Sequence, residues 1–178
     1  MVFWGTPAKD CWKIEDSCLK LKCIRQRLDD DLEQMKMDGI LADDKYVAFV
    51  SRRQCAMDAV ITAAVKFYPE GQESAGIAAV QAMNHQIHIE RACEDGKQVV
   101  RVVVITADYI QPPYFPGFTS TTNREIICSE AYDKSEIILQ LDMQHEDFCI
   151  RYGESEEELK ELCRIDGAVI NPEKVGCM

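Results

Sequence analysis

Apolar residues in the first part of the chain recur at intervals of three and four positions. Between residues 11 and 37 this stripe consists of Ile14, Cys18, Leu21, Ile24, Leu28, Leu32 and Met35. Such spacing is typical of an amphipathic helix with a single apolar face. Asp10 lies where it can cap the start, and Gly39 lies where a left-handed C-terminal residue would fall. The pattern predicts a long first helix, ~40 Å in length.

Two shorter helices are predicted next. Ser51 and Gln54 have the spacing of a capping box, which predicts a second helix over about residues 53–67, stopped by Pro69 and Gly71. Its apolar side would consist of Ala56, Val60, Ala63, Ala64 and Phe67. A third helix, rich in small residues, is predicted over about residues 75–83. The N-terminal half of the chain is therefore expected to be mainly helical.

The pattern then changes to β-strands. Residues 85–92 and 98–105 flank an Asp95-Gly96 pair, which is a strong signal for a tight hairpin turn. A two-residue turn places Glu90 opposite Arg101. The same register puts five aliphatic residues on one face, which we expect to be the core face: Ile87, Ile89, Val100, Val102 and Val104.

A second hairpin and a last helix complete the predicted elements. Residues 124–131 and 135–143 are predicted to pair through a turn at Asp133 and Lys134. Its core face would consist of Ile126, Cys128, Ile137, Leu139 and Leu141. Residues 148–152 read as a last strand, and Ser155 with Glu158 forms another capping box that predicts a C-terminal helix ending near Gly167.

The order of these elements predicts an α+β fold. The N-terminal helices, including the long first helix, would pack on a mainly antiparallel sheet built from two hairpins, with a C-terminal helix. We find no linker that divides the sequence, and residues 1–178 are therefore expected to form a single α+β domain.

Charge and cysteine content narrow the class of protein. The 20 basic and 31 acidic residues give a net charge of −11, which disfavours nucleic acid and anionic membranes as partners. Nine cysteines with no signal peptide at Met1 predict reduced, mostly buried thiols in the cytoplasm. His85, His88 and Cys93 are close in sequence, but strand alternation sends the two histidines to opposite faces, so we expect no metal site. The sequence contains no glycine-rich phosphate-binding motif, so we also expect no cofactor.

Recognition of another macromolecule is the favoured function. The far end of the first helical stripe and a proline-stiffened aromatic loop would supply the contacts. The residues expected to bind are Leu28, Leu32, Met35, Tyr114, Phe115 and Phe118. The protein would then be an acidic interaction protein that binds a protein partner, as a subunit of an assembly, or forms a homo-oligomer.

A cysteine-dependent hydrolase is the alternative function. Cys55 falls in the first turn of the second predicted helix, beside Arg52 and Arg53, where the helix dipole and two cations favour a thiolate. His88 or His145 would act as the base. A helix cysteine followed by histidines on a sheet resembles papain-like and transglutaminase-like thiol hydrolases in outline. A pocket for a small apolar ligand between helix and sheet is a third possibility.

Overall fold

The computed structural model of this protein describes residues 2–3, 10–30, 47–82, 84–108, 121–144 and 146–170. The chain divides into two compact units, Met1–Cys55 and Ala56–Met178, and each is described by itself. Within the described residues the regular structure consists of β-strands and two short 3-10 helices, with no α-helix. None of the helical turns described has the length and apolar character needed to cross a membrane.

Four short strands make up the described regular structure of the first unit. They are β1 (Val2–Phe3), β2 (Trp12–Glu15), β3 (Cys18–Leu21) and β4 (Val50–Ser51). β1 pairs with β4, and β2 pairs with β3, both in antiparallel fashion. The turn between β2 and β3 consists of Asp16 and Ser17, which have φ angles of 53° and 61°.

The prediction of a long first helix is therefore wrong for the described residues. Asp16 and Ser17 both occupy the left-handed region, as the two central residues of a tight hairpin turn require. Asp adopts this conformation more readily than most residues, which makes it the local signal for a turn. The spacing of apolar residues at three and four positions led to the prediction of a helix instead. That spacing does not show whether the chain reverses direction between apolar residues. The predicted residues 31–37 lie outside the described ranges.

The second unit consists of two four-stranded antiparallel sheets. Its strands are β5 (Ala59–Lys66), β6 (Ala75–Ala82), β7 (His85–Glu94), β8 (Lys97–Asp108), β9 (Thr121–Ala131), β10 (Glu136–Gln144), β11 (Asp147–Gly153) and β12 (Lys160–Asp166). One sheet has the order β6-β7-β8-β9, and the other has the order β12-β11-β10-β5. Every neighbouring pair in both sheets is antiparallel.

Strands β5 and β6 replace the second and third predicted helices. The partner of β5 is β10, so that Val65 lies opposite Ile137, far away in sequence. β6 pairs with β7, and the α-carbon of Gly76 faces Glu90. Alanine is compatible with both helix and strand in these segments, and pairing with distant strands decides between them. Both helical predictions are wrong for this reason.

The first predicted hairpin is confirmed. β7 and β8 pair with Glu90 opposite Arg101, and the turn residues Asp95 and Gly96 have φ angles of 50° and 76°. The Arg101 guanidinium lies 2.7 Å from the Glu90 carboxylate. All five residues expected on the core face are buried: Ile87, Ile89, Val100, Val102 and Val104. The turn chemistry and the alternation fix this register together.

The second predicted hairpin is wrong, although both of its strands exist. β9 pairs with β8 in one sheet, whereas β10 pairs with β5 and β11 in the other sheet. The segment from Tyr132 to Ser135 therefore crosses from one sheet to the other instead of closing a turn. A bulge between β8 and β9 shifts the alternation, and Ile126 is 48% exposed rather than in the core.

The predicted C-terminal helix is also wrong. Glu156–Glu158 forms one 3-10 turn, and Ser155 makes no side-chain capping hydrogen bond to it. The following residues form β12, which pairs with β11 along an edge of its sheet. The last strand predicted over residues 148–152 is confirmed as β11. A second 3-10 helix, Gly167–Ile170, follows β12.

The two sheets pack face to face and form a β-sandwich, so the α+β class predicted from the sequence is wrong. The core consists of twelve buried residues that come from both sheets. They are Ile87, Ile89, Val100, Val102, Val104, Ile137, Leu139, Leu141, Met143, Ile150, Tyr152 and Ile165. Burial of each aliphatic side chain contributes about 1.5–3 kcal/mol, which makes this layer the main source of stability.

Gly76 allows the backbone of β6 to approach the backbone of β7 closely. A Cβ atom at this position would lie 1.9 Å from the carbonyl oxygen of Ile89. We expect Gly76→Ala to lower the free energy of unfolding by about 2–3 kcal/mol, because a backbone atom cannot move aside. Urea denaturation followed by circular dichroism measures this loss.

Gly71→Ala is the matched control. Its Cβ atom would meet only the carboxylate end of Glu73, at 3.0 Å, and that flexible side chain can move. The control is expected to unfold within about 0.5 kcal/mol of the unchanged protein. Equal stability of the two variants would show that β6 and β7 do not approach as described.

Candidate functional site

Polar residues cover the outer face of the sheet formed by β5, β10, β11 and β12. Strand alternation sends Leu139, Leu141 and Met143 of β10 into the core, where each is almost completely buried. The residues between them therefore project from the opposite face. These are Gln140 and Asp142, followed by Gln144 at the end of the strand.

The register of the four strands arranges these polar residues in two rows, and the β5 position of one row is the apolar residue Val60. One row runs from Val60 through Asp142 and Cys149 to Arg164. The row beside it runs from Thr62 through Gln140 and Arg151 to Glu161. We call the eight residues of these two rows the polar face.

Arg151 connects the two rows. One of its terminal nitrogens, Nη1, donates to Oε1 of Gln140 at 3.0 Å and to Oδ2 of Asp142 at 2.9 Å. The amide nitrogen of Gln140 in turn donates to the Thr62 hydroxyl at 3.2 Å. These bonds hold four neighbouring side chains in fixed positions on a rigid sheet, as a recognition surface requires.

Asp142 is the most buried charged residue of the polar face. It is 7% exposed, and its Oδ2 atom accepts the hydrogen bond from Arg151. Its other carboxylate oxygen, Oδ1, is buried and receives no hydrogen bond from the described part of the chain. A cavity of about 320 Å³ is lined by Asp142, Gln144, Asp147, Cys149, Arg151 and Arg164.

Cys149 and Glu161 form a second polar contact on this face. The thiol of Cys149 donates to Oε2 of Glu161 at 3.3 Å, and the Arg164 guanidinium lies 2.8 Å from the same carboxylate. Burial, and then the neighbouring Glu161 carboxylate, raise the pKa of the Cys149 thiol. The Arg164 guanidinium, and then the Cys149 hydrogen bond, lower the pKa of Glu161. Cys149 is therefore a neutral hydrogen-bond donor at physiological pH.

A second cavity of about 320 Å³ lies beside two tyrosines of the same unit. The rings of Tyr132 and Tyr152 meet edge to face, with centroids 5.7 Å apart. The Arg91 guanidinium lies over the ring of Tyr132, and the Lys160 ammonium lies over the ring of Tyr152, at 4.7 and 4.5 Å. Cations of the same chain already cover one face of each ring. We therefore take the polar face, rather than this cavity, as the candidate site.

The polar face can donate and accept hydrogen bonds at several fixed points. Carboxylates accept and guanidinium groups donate, so the alternation of the two suits ligands whose groups do both. The described residues contain no group of three or more His, Cys, Asp or Glu side chains that could hold a metal ion. The side chains of the polar face offer hydrogen bonding to a ligand.

The residues predicted to act in a thiol hydrolase do not belong to the polar face. Cys55 is exposed, and its segment precedes strand β5 rather than opening the predicted helix. Its sulfur lies 3.5 Å from the carbonyl oxygen of Arg53. His88 is buried on β7, where its Nε2 lies 2.6 Å from Oε1 of Gln86. His145 lies outside the described residues.

Most residues expected to bind a partner also lie outside the described ranges. Leu28 is half-buried in a turn of the first unit, not on a helix. The others are Leu32, Met35, Tyr114, Phe115 and Phe118, and none of them is described.

Sequence reasoning missed the polar face, although one signal for it was present. Polar residues at 140, 142 and 144 alternate with apolar ones along a correctly predicted strand, so that a solvent-side row could have been identified. Arg151 and Arg164 could not be placed beside that row, because the pairing of β11 with β10 and β12 is not visible in the sequence.

Two solved structures of GH43 proteins have the same fold as this chain. The chain superimposes on the GH43 protein BlXynB from Bacillus licheniformis with a TM-score of 0.69 and 15% identity, covering 96% of this chain and 29% of that one. For GH43B of a xyloglucan PUL from Bacteroides ovatus the TM-score is 0.68 and the identity 16%, with 98% and 30% covered. The chain thus spans under a third of these proteins.

The fold is accordingly a β-sandwich of the concanavalin A-like class. Residues 2–176 match the family model of the beta xylosidase C-terminal concanavalin A-like domain. The chain belongs to this family. No match was found among curated proteins. This family membership overturns both the interaction protein and the thiol hydrolase predicted from the sequence.

The burial and protonation of the Cys149 thiol can be tested by alkylation. We expect its reaction with iodoacetamide at about pH 8.5 to be at least about tenfold slower than that of exposed Cys18, because burial and Glu161 keep it protonated. Because folding raises the pKa of Cys149, the neutral thiol contributes to the stability of the folded protein below the usual thiol pKa. This contribution is lost as the pH rises through the raised pKa. Peptide mass spectrometry of timed samples measures both rates.

The same reaction in concentrated urea is the control for alkylation. Once the chain is unfolded, Cys149 and Cys18 should react at similar rates. If Cys149 reacts as fast as Cys18 in the folded protein, the thiol does not have the buried environment described.

Proposed function

We propose that this chain is an accessory domain of a glycoside hydrolase that acts on xylose-containing saccharides, and that its polar face binds the saccharide. The observation that carries the proposal is the match of residues 2–176 to a beta xylosidase C-terminal domain. The two structural neighbours are GH43 proteins more than three times the length of this chain, which supports a role beside a separate catalytic domain.

The groups of the polar face favour binding over bond cleavage. Hydrolysis of a glycosidic bond requires one carboxylate that donates a proton and another that attacks or activates water. The Asp142 carboxylate accepts a hydrogen bond from Arg151, and the Glu161 carboxylate pairs with Arg164. The Arg164 guanidinium lowers the pKa of Glu161, so this carboxyl group is not suited to donate a proton.

The geometry of the polar face suits an extended, hydroxyl-rich ligand. Neighbouring strands are about 4.8 Å apart, so that polar groups on β5, β10, β11 and β12 recur at a regular interval across the sheet. Gln140, Asp142 and Arg151 already have fixed orientations. Because these groups are ordered before binding, little conformational entropy is lost when a saccharide docks.

Titration of the isotopically labelled chain with xylotriose tests the proposal. Amide shifts in two-dimensional NMR spectra should move for Gln140, Asp142, Cys149, Arg151 and Arg164, because these residues line the surface that the sugar contacts. Perturbations should be smaller along β7, where the hairpin core is remote from this sheet's outer face.

Maltotriose is the control ligand, since it has the same number of sugar units and a different linkage. Glycerol tests for nonspecific effects of hydroxyl groups. If xylotriose produces no shifts, or produces them only away from the polar face, the proposed saccharide-binding role is wrong.

A further inference from the structure

We propose that Cys128 of β9 and Cys163 of β12 form a disulfide when the protein meets a disulfide oxidant such as oxidised glutathione, and that this bond joins the two sheets of the sandwich along one edge. The inference concerns a covalent modification of the chain and does not depend on saccharide binding. The deciding observation is that both thiols are turned into the core from edge strands of different sheets that contact each other.

Strands β9 and β12 meet at one side of the sandwich. Each is the outermost strand of its sheet, and in the described part of the chain β9 pairs only with β8 and β12 only with β11. The two edge strands contact each other, and the Lys160 ammonium lies 2.9 Å from the Glu130 carboxylate across this contact. Contacts between side chains therefore hold this side of the sandwich together, without backbone pairing between the two sheets.

The strand register turns both cysteines toward the core. Cys128 lies opposite Val102, and Cys163 lies opposite Ile150. Both of these partners are completely buried. Residues directly opposite each other in an antiparallel pair project from the same face of the sheet. Both cysteines are accordingly half-buried and pack against the core layer, one from each sheet.

The two thiols interact directly with each other. The hydrogen bond with Cys163 lowers the pKa of Cys128, and the same contact, followed by burial, raises the pKa of Cys163. Once one proton is lost, the remaining proton lies between two sulfur atoms and stabilises a single thiolate. The thiolate is the form that attacks a disulfide. Cys128 is thus the group that reacts first, and Cys163 completes the bond.

Oxidation of the pair is a two-step exchange. The Cys128 thiolate attacks one sulfur of oxidised glutathione, which forms a mixed disulfide and releases one glutathione thiolate. The Cys163 thiol then loses its proton, and its sulfur attacks Sγ of Cys128, which releases the second glutathione thiolate. The two released thiolates take up the two protons that the cysteines lost. Two electrons pass from the protein to the oxidant, and one S–S bond replaces another.

Cys149 does not compete for Cys163. Cys149 lies opposite Asp142 on the polar face, whereas Cys163 lies opposite Ile150 in the core. Successive residues of a strand point to opposite faces, so the two thiols project from different sides of the sheet. The register therefore pairs Cys163 with Cys128 of the facing sheet rather than with a cysteine of its own sheet.

A metal ion is disfavoured by the number of available ligands. Structural zinc is almost always held by four ligands. The ranges that the structure describes contain no group of three or more His, Cys, Asp or Glu side chains that could hold a metal ion. The chemistry that this pair supports is therefore the formation of a bond between its two sulfur atoms.

Peptide mass spectrometry of the whole 178-residue chain tests the proposal. The protein is incubated with oxidised glutathione, its remaining thiols are alkylated, and it is digested with trypsin. We expect residues 125–134 and 161–164 to be recovered as one linked species, lighter than the two reduced peptides together by two hydrogen atoms. Dithiothreitol should separate them. If an excess of oxidised glutathione yields only glutathione adducts on these two peptides, or leaves them unmodified, the inference is wrong.

Cys163→Ser should stop the reaction after its first step. Without a second thiol, Cys128 should retain glutathione as a stable mixed disulfide. Cys93→Ser is the matched control, because it makes the same change at another half-buried cysteine of the second unit, on β7. It should form the link as readily as the unchanged chain, and loss of the link in this control would contradict the assignment. The peptides of the unchanged chain decide the question even if Cys163→Ser does not fold.

Thermal unfolding tests whether the bond joins the two sheets. A link between residues 128 and 163 restricts the unfolded chain and should therefore stabilise the folded one. We expect the midpoint measured by circular dichroism to be about 5–10 °C higher for the oxidised protein than for the protein treated with dithiothreitol. Cys163→Ser, treated in the same two ways, should show no such difference. Equal midpoints for the two forms of the unchanged chain would overturn the proposed role of the bond in joining the sheets.

Discussion

Burial of the apolar layer between two four-stranded sheets is the constraint on which the second unit depends. Neither sheet can cover its inner face alone, and a single sheet with one exposed apolar side is not stable in water. β8 contributes Val100, Val102 and Val104, and β10 contributes Leu139 and Leu141 from the facing sheet. Every strand must therefore present alternate residues inward, which determines what the outer faces can contain.

The crossing between the sheets requires a polar anchor inside the sandwich. Arg91 lies on the inward-facing side of β7 and is completely buried. Its terminal nitrogens donate to the carbonyl oxygens of Tyr132 at 2.6 Å, Lys134 at 2.9 Å and Val99 at 3.2 Å. Burial lowers the pKa of Arg91, yet its ordinary value is so high that the guanidinium stays charged. The charged side chain thereby fixes the segment that carries the chain from β9 to β10.

The polar face is a consequence of the same alternation. β10 places leucines in the core and, between them, Gln140 and Asp142 on the outside, while β11 places Ile150 inside and Arg151 outside. A rigid core therefore positions the hydrogen-bonding groups with the precision of the strand register. The proposed saccharide binding by the polar face uses side chains that the core does not need.

Local sequence determined the β7–β8 hairpin, because Asp95-Gly96 supplies the positive φ angles of the turn and the alternation sets the register. It also determined the strands β10 and β11. Tertiary structure decided the rest: Ala59–Lys66 and Lys160–Asp166 fit a helical pattern, but they become strands by pairing with β10 and β11. Asp142 and Arg164 lie in one row for the same reason. Hydrogen bonds between strands join residues far apart in sequence, so no local pattern reveals which strands become neighbours.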